Sequence, residues 1–308
     1  MTGRPGTARV ARLRAAAADE TAAIQAVWEA SLAADDPAAY PRGGWSVQGW
    51  ATDTRVLVLG ERVIGVAAVR GEVSESGGVP IRVALDVPAR EPEHAERLVR
   101  AALDMARATG ARSARLWVPS RAGWTQAAAR QAGFGPVRTV AHMLLPAGAP
   151  TPTSPVVPGL VIRSIRDGEE EAVLAALNRA WAGTWEFVPI RPEMLRRDLE
   201  GQRDGMLVGF IDGREQIVAT CHAVFESTEQ NPDGHPRAWI SNLTVDPGQR
   251  TRGLGRAMLA AAIQHLRERG GRSVTLGVDA GNPAPMRLYR SAGFVVASTV
   301  EAWDRTLE

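Results

Sequence analysis

The sequence predicts two α/β domains of one design in tandem, and three observations point there. The chain has 308 residues, which at roughly 100 to 200 residues per domain is enough for two cores. Segments recur at a spacing of about 160 positions: "GARSARLWV" (110–118) lies over "GGRSVTLGV" (270–278), "RQAGF" (130–134) over "RSAGF" (290–294), and "LDV" (85–87) over "LTV" (243–245). Between the copies stands "PAGAPTPTSPVVPG" (146–159), with five prolines and no charge. Such a run cannot continue a helix or a central strand and suits an extended surface linker. The expected domains are therefore 8–145 and 160–308, joined by 146–159.

Each half reads in the same order: an N-terminal helix, two or three strands, a helix, a strand, a short helix and a final strand. In the first half the β-branched runs "RVLVLG" (55–60) and "VIGVAAV" (63–69) predict strands. In the second half "MLVGFI" (206–211), "QIVATCHAVF" (216–225), "AWISNLTV" (238–245) and "SVTLGVD" (273–279) do the same. Met258, Leu259, Ala262, Ile263 and Leu266 share one face at helical spacing, which predicts a helix over 255–269. Gly270 and Gly271 then supply its stop.

Composition narrows the function. Hydrophobic residues make up 45% and charged residues 23%, as in an ordinary globular protein. Acidic residues nearly balance basic ones, leaving a net charge of +2; despite a pI near 9.3, that balance argues against a nucleic-acid partner. All 36 basic residues are Arg, so any anion site must be built from guanidinium groups and backbone amides. Cys221 is the only cysteine, which excludes an intrachain disulfide and a cysteine-rich metal site, and no metal is expected. No apolar stretch approaches the ~18 residues that span a membrane, and Asp19 and Glu20 interrupt the Ala-rich start before a signal-peptide core can form. The expectation is a cytoplasmic protein, monomer or homodimer, with neither membrane nor nucleic acid as partner.

Two segments carry chemistry. "QRTRGLGRAML" (249–259) sets an Arg/Gly loop between a strand and a helix. The first N–H groups of a helix lack intrahelical partners and sit at the positive end of its dipole. Gly253 and Gly255 let a phosphate reach those donors, while Arg250, Arg252 and Arg256 add charge. An Arg/Gly turn also serves as a plain polar cap, so context decides. The Walker A loop is excluded because the chain has no Lys, and the dinucleotide G-x-G-x-x-G pattern fails at Met258. The second segment, "NPAPMRLYRSAGF" (282–294), holds Tyr289, one of only two tyrosines with Tyr40. Core packing with one partner for the hydroxyl is the alternative role for such a residue.

Together these segments resemble the GNAT superfamily of acyl-CoA-dependent N-acyltransferases. The run 250–255 looks like that family's Q/R-x-x-G-x-G/A loop, and 282–294 like its N-x-x-A-x-x-x-Y-x-x-x-G-F segment, with Pro285 in the Ala position. The likeness covers about residues 205–300, and the whole layout is similar to tandem proteins of the mycothiol synthase type, in which only the second domain catalyses. The resemblance implies two tandem α/β (α+β, mixed-sheet) domains, each a mostly antiparallel sheet flanked by helices, with a central splayed strand pair. It implies acetyl-CoA as co-substrate, with the pantetheine arm along Asn242–Val245 (including Leu243 and Thr244), the diphosphate on Thr251, Arg252, Gly253, Leu254, Gly255 and Arg256, and Arg250 as a further cofactor-binding residue that adds charge. A backbone N–H near Leu243–Val245 would polarise the thioester carbonyl. Asn282 and Met286 would line the donor arm, and Tyr289 would face the sulfur. A phenol near pKa 10 is a weaker acid than a thiol near 8.5, so Tyr289 is expected as hydrogen-bond donor to thiolate charge, with full proton transfer left open.

The resemblance further implies direct attack by a primary amine, of a small molecule or a peptide, in a ternary complex. The family often carries a Glu on the strand before the loop, but here that strand reads Trp239, Ile240, Ser241, Asn242, Leu243. The base stays open among Glu226, Asp279 and a water held by Ser241 or Asn242. Trp181, Trp185 and Phe187, with Trp239 and Asp279, are the candidate acceptor lining, through stacking or cation–π contact; inter-domain packing is the other role open to the tryptophans. Opposite Gly253, Gly255 and Tyr289 the first half has Glu93, Ala95 and Ala129. A carboxylate about 5 Å from a phosphate charge costs roughly 3 kcal/mol at an effective dielectric of 20, so the first half is expected to lack a donor site. A catalytically silent acyl-CoA sensor or scaffold is the alternative function.

Overall fold

The structure is a computed structural model, and it describes residues 10–36, 54–69, 73–74, 77–185, 187–213 and 216–307. The chain forms two compact units: 1–141 together with 298–308, and 142–297.

Unit 1 begins with β1 (Arg12–Ala15) and α1 (Thr21–Asp35), followed by β2 (Thr54–Leu59), β3 (Arg62–Val69) and β4 (Gly78–Leu85). These strands are antiparallel neighbours. Then come α2 (Pro92–Ala108), β5 (Ser113–Pro119), α3 (Gly123–Gln131) and β6 (Gly135–Leu145), whose residues from His142 onward belong to unit 2. β5 runs parallel to β4 over Gly78↔Ser113 to Ile81↔Leu116 only. The buried stripe of α2, with Ala95, Leu98, Val99, Ala102 and Ala106, closes one face of this sheet against Leu57, Ile64 and Leu116.

Unit 2 repeats the plan with β7 (Leu160–Ser164), α4 (Glu170–Trp181), α5 (Pro192–Leu199), β8 (Met206–Ile211), β9 (Ala219–Gln230), β10 (Pro236–Val245), α6 (Leu254–Glu268), β11 (Val274–Asp279) and α7 (Pro283–Ser291). β7, β8, β9 and β10 are antiparallel, and β11 is parallel to β10. α6 buries Leu254, Met258, Leu259, Ala262, Ile263 and Leu266, the face its 3.6-residue period predicts. On the other side of the sheet, Val173 and Leu177 of α4 and Leu195 and Leu199 of α5 pack on Met206 and Val208.

The proline-rich run lies within unit 2 and has neither helix nor strand, as five prolines dictate. It is nonetheless docked: the Arg267 guanidinium donates to Ala149 O and Thr151 Oγ1, and Val157 packs on Ile211, Val218 and Leu254. The last strand, β12 (Val295–Thr306), belongs from Ser298 onward to unit 1, where it pairs antiparallel with β5 from Val300↔Pro119 to Thr306↔Ser113. Trp303, 1% exposed, fills unit 1's core from this strand. The compact units are thus not the contiguous halves of the chain.

Candidate active site

The site of unit 2 starts from an irregularity in β10. Its register with β9 steps from Ile240↔Ala223 to Asn242↔His222, so Ser241 is an extra, bulged residue. The parallel ladder with β11 covers only Trp239↔Thr275 and Ile240↔Leu276. Beyond the bulge the two strands part, and the β11-facing edge of Ser241–Val245 lies outside the ladder. This is a splayed strand pair in a mostly antiparallel sheet.

Residues directly opposite on paired strands share a face, which sorts the side chains of β10. Trp239, Asn242 and Thr244 lie with Val224, His222 and Thr220; the Thr220 and Thr244 hydroxyls hydrogen-bond at 2.7 Å. Leu243 and Val245 lie on the opposite face, toward α6, where a Cβ on Gly255 would stand 3.8 and 3.7 Å from them.

The loop from β10 into α6 has an unusual backbone. Thr251 has φ +68° and Gly253 φ +84°, alternate left-handed residues. A β-branched residue there is a conformational outlier, and such strain concentrates at functional sites. Alternation of this kind turns successive amides toward one concave side. The amides of Thr251 through Gly255 donate to no acceptor among the described residues, whereas Arg256 N and Ala257 N bond to Gly253 O at 3.1 and 3.0 Å. The arginines are placed differently from one another. Arg250 donates to Val245 O (3.3 Å) and Ala180 O (3.2 Å), Arg252 to Gln249 Oε1 (2.6 Å), and Arg256 to Ser291 O (3.0 Å). Arg250 and Arg256 therefore brace the loop against α4 and α7.

α7 supplies the tyrosine. Asn282 is its exposed N-terminal flanking residue, Met286 is buried, and Tyr289 is 7% exposed, tilted against Phe294 with ring centroids 5.9 Å apart. Burial first, and the neighbouring Cys221 second, push the Tyr289 hydroxyl well above the usual phenol range, and burial does the same to the Cys221 thiol.

Trp181 and Trp185, each 37% exposed, end α4 and follow it, and Phe187 is half-buried. Asp279 accepts from Gly281 N at 3.0 Å, shaping the turn into α7. Glu226 lies beside Gln202, 3.5 Å from its Nε2. Tyr40 lies outside the described residues. The structure also brings in His222, which sequence reading missed: its Nδ1 is 3.3 Å from Ser241 Oγ. The one signal in the sequence is a lone His among the apolar residues of "CHAVF" (221–225); its place opposite the bulge shows only in the structure.

At the corresponding place in unit 1 the parts differ. α2 opens with Pro92 and Glu93 in its first turn, and Ala95 and Ala129 are buried. Arg90 forms a two-point ion pair with Asp35 (2.8 Å each) while Trp124 Nε1 donates to the same carboxylate at 3.1 Å. The Arg90 guanidinium also lies 5.5 Å from the Trp124 ring centroid. The arginine ahead of α2 is thereby consumed inside the unit.

Unit 2 thus combines a bulged, splayed strand, a left-handed amide loop at a helix N-terminus and a buried tyrosine on the next helix. The model of the acetyltransferase (GNAT) family matches residues 171–294. A mycothiol acetyltransferase from Segniliparus rotundus is 30% identical over 74% of this chain and 86% of its own length. Another from Thermobispora bispora is 36% identical over 64% of this chain, and the match spans 66% of that relative. Among solved structures, a GCN5-related N-acetyltransferase from Sphaerobacter thermophilus has a TM-score of 0.75 at 20% identity, over 96% of this chain and 95% of its own. The chain belongs to the GNAT acetyltransferase family. Two units of that fold are present, and the second contains the segment that the family model matches.

Proposed function

We propose that the protein moves an acetyl group from acetyl-CoA to a primary amine by direct attack in a ternary complex, and that unit 2 alone does the chemistry. The observation that carries this reading is the row of unpartnered amides from Thr251 to Gly255 at the start of α6, a donor set matched to a diphosphate. Acetyl-CoA supplies the thioester. The open edge of Leu243, Thr244 and Val245 pairs with the pantetheine arm, as an extended ligand adds to an unpaired strand, and holds a main-chain N–H toward the carbonyl oxygen. Met286 and Asn282 border the arm, and Tyr289, held protonated by burial, donates a hydrogen bond to the leaving sulfur.

The acceptor enters from the face of β10 that carries Trp239, Asn242 and the bulged Ser241, beside Trp181, Trp185 and Phe187. Its amine belongs to a small molecule or a peptide, and the name shared by the relatives puts mycothiol-related amines first among those to try. Unit 1, with Arg90 locked on Asp35 and Glu93 where the amides would be approached, serves a structural role. Thiol release from acetyl-CoA, followed across an amine panel, tests the reading: turnover with at least one amine is expected, and tight CoA binding without turnover across the panel would favour a sensor or scaffold instead.

A further inference from the structure

His222 is a buried imidazole, 2% exposed, on an otherwise apolar stretch of β9. Burying a titratable ring needs a compensating arrangement, and here both nitrogens are engaged. Nε2 lies 3.4 Å from the carbonyl oxygen of Gln202, which can only accept, so Nε2 carries the proton. Nδ1 is then a bare acceptor, and 3.3 Å away stands the hydroxyl of Ser241. Ser241 is itself exposed, because it is the extra residue of the bulge. The pair forms a wire with one end in solvent and the other in the core.

Its surroundings fit a role with an amine. Asn242 Nδ2 lies 3.5 Å from Ser241 Oγ, and Asn242 Oδ1 is buried with no partner among the described residues, an acceptor suited to a substrate N–H. The strand offers no carboxylate for the purpose. From the structure, and resting on the acetyl-transfer reading above, we infer that His222, acting through Ser241, takes the proton of the attacking amine. Ser241 Oγ accepts the proton from the nitrogen as its own passes to His222 Nδ1. The C–N bond forms, and the C–S bond breaks with its electron pair leaving on sulfur, which Tyr289 hydrogen-bonds. The proton on His222 then returns through Ser241 to solvent and is balanced by protonation of the thiolate.

Burial favours the neutral His222 ring at rest, against the titratable group beside it. Burial dominates and lowers its pKa to about 4, the Gln202 carbonyl and Asp204 opposing. Asp204 is drawn away by Arg269, which caps the C-terminus of α6, and lies 3.7 Å from His265 of α6. The ring is therefore ready to accept a proton throughout the neutral range, and the imidazolium exists only transiently, stabilised by Gln202 O and Asp204.

Two measurements test the relay in the full chain. Nitrogen NMR of histidine-labelled protein should show His222 as the Nε2–H tautomer at pH 7, with its Nδ1 resonance moved by Ser241→Ala; an Nδ1–H tautomer overturns the relay. In steady-state thiol release with the best amine, Ser241→Ala and His222→Gln should each lower kcat by about 100-fold. The double variant should be no worse than the poorer single one, and calorimetric acetyl-CoA affinity should be unchanged. The kcat–pH profiles of both variants should acquire a rise with unit slope into the alkaline range, where solvent deprotonates the amine. Full kcat in Ser241→Ala, or losses of stability with an unchanged pH profile, overturns the relay while leaving acetyl transfer standing. A wild-type protein that releases no thiol with any amine overturns both.

Discussion

Arg250 donates from the loop to the carbonyl of Ala180 at the end of α4, at 3.2 Å, and to Val245 O at the end of β10, at 3.3 Å. Its charge thus faces protein carbonyls first, and its main work is to hold the amide loop in register with the strand. Hydrogen bonds from a charged donor contribute about 1.5–3 kcal/mol when well formed. Arg250→Ala is expected to weaken CoA binding by about tenfold in calorimetry while leaving kcat at saturating donor within about twofold.

Tyr289→Phe keeps the ring contact with Phe294 and removes only the hydroxyl, so the fold should be unaffected. Loss of a single hydrogen-bond donor to developing charge costs about 10²–10³ in kcat, and that loss is expected here with donor affinity unchanged. Because burial raises the hydroxyl's pKa, Tyr289 stays protonated at least to the ordinary phenol range. A kcat–pH profile of the wild type should show no falling limb below about pH 10.

Stability should carry the signature of His222. Its pKa is about 4 when folded against about 6.5 when unfolded. Between these values the unfolded chain binds a proton that the folded chain refuses, so stability rises with pH across the window. The contribution is complete above about pH 6.5 and disappears as pH falls toward 4, an effect of about 3 kcal/mol. Urea unfolding of wild type and His222→Gln at pH 7 and pH 4.5 measures it: the pH-dependent loss should be smaller in the variant.

Unit 1 should bind no donor. The Arg90–Asp35–Trp124 cluster is satisfied within the unit, Asp35 is 4% exposed, and the first turn of α2 presents Glu93. Titration of acetyl-CoA should give one site per chain. Asp35→Ala leaves Arg90 without its buried partner and should cost about 3 kcal/mol in unfolding, without changing that stoichiometry.

Much of this was legible in the sequence. The spaced repeats marked two copies of one fold, the Arg/Gly loop was placed between a strand and a helix, and the α6 face followed from helical period. What was not legible depends on long-range pairing. Nothing local tells β12 to pair with β5, because its Val- and Ala-rich pattern suits any antiparallel neighbour. His222 and Ser241 are nineteen positions apart and meet only through the bulge, a register shift with no composition signal. Arg250 read as a phosphate ligand because sequence reports charge, while the direction of a long side chain is set by which carbonyls the fold leaves within reach.

The diphosphate grip at residues 251–255 is tested most directly by comparing acetyl-CoA with S-acetyl-pantetheine, which keeps the thioester arm and lacks the diphosphate. Calorimetry on the wild-type chain should show acetyl-pantetheine binding at least about 100-fold more weakly, the loss of several charge-assisted hydrogen bonds. Equal affinities for the two would contradict the assignment of those amides.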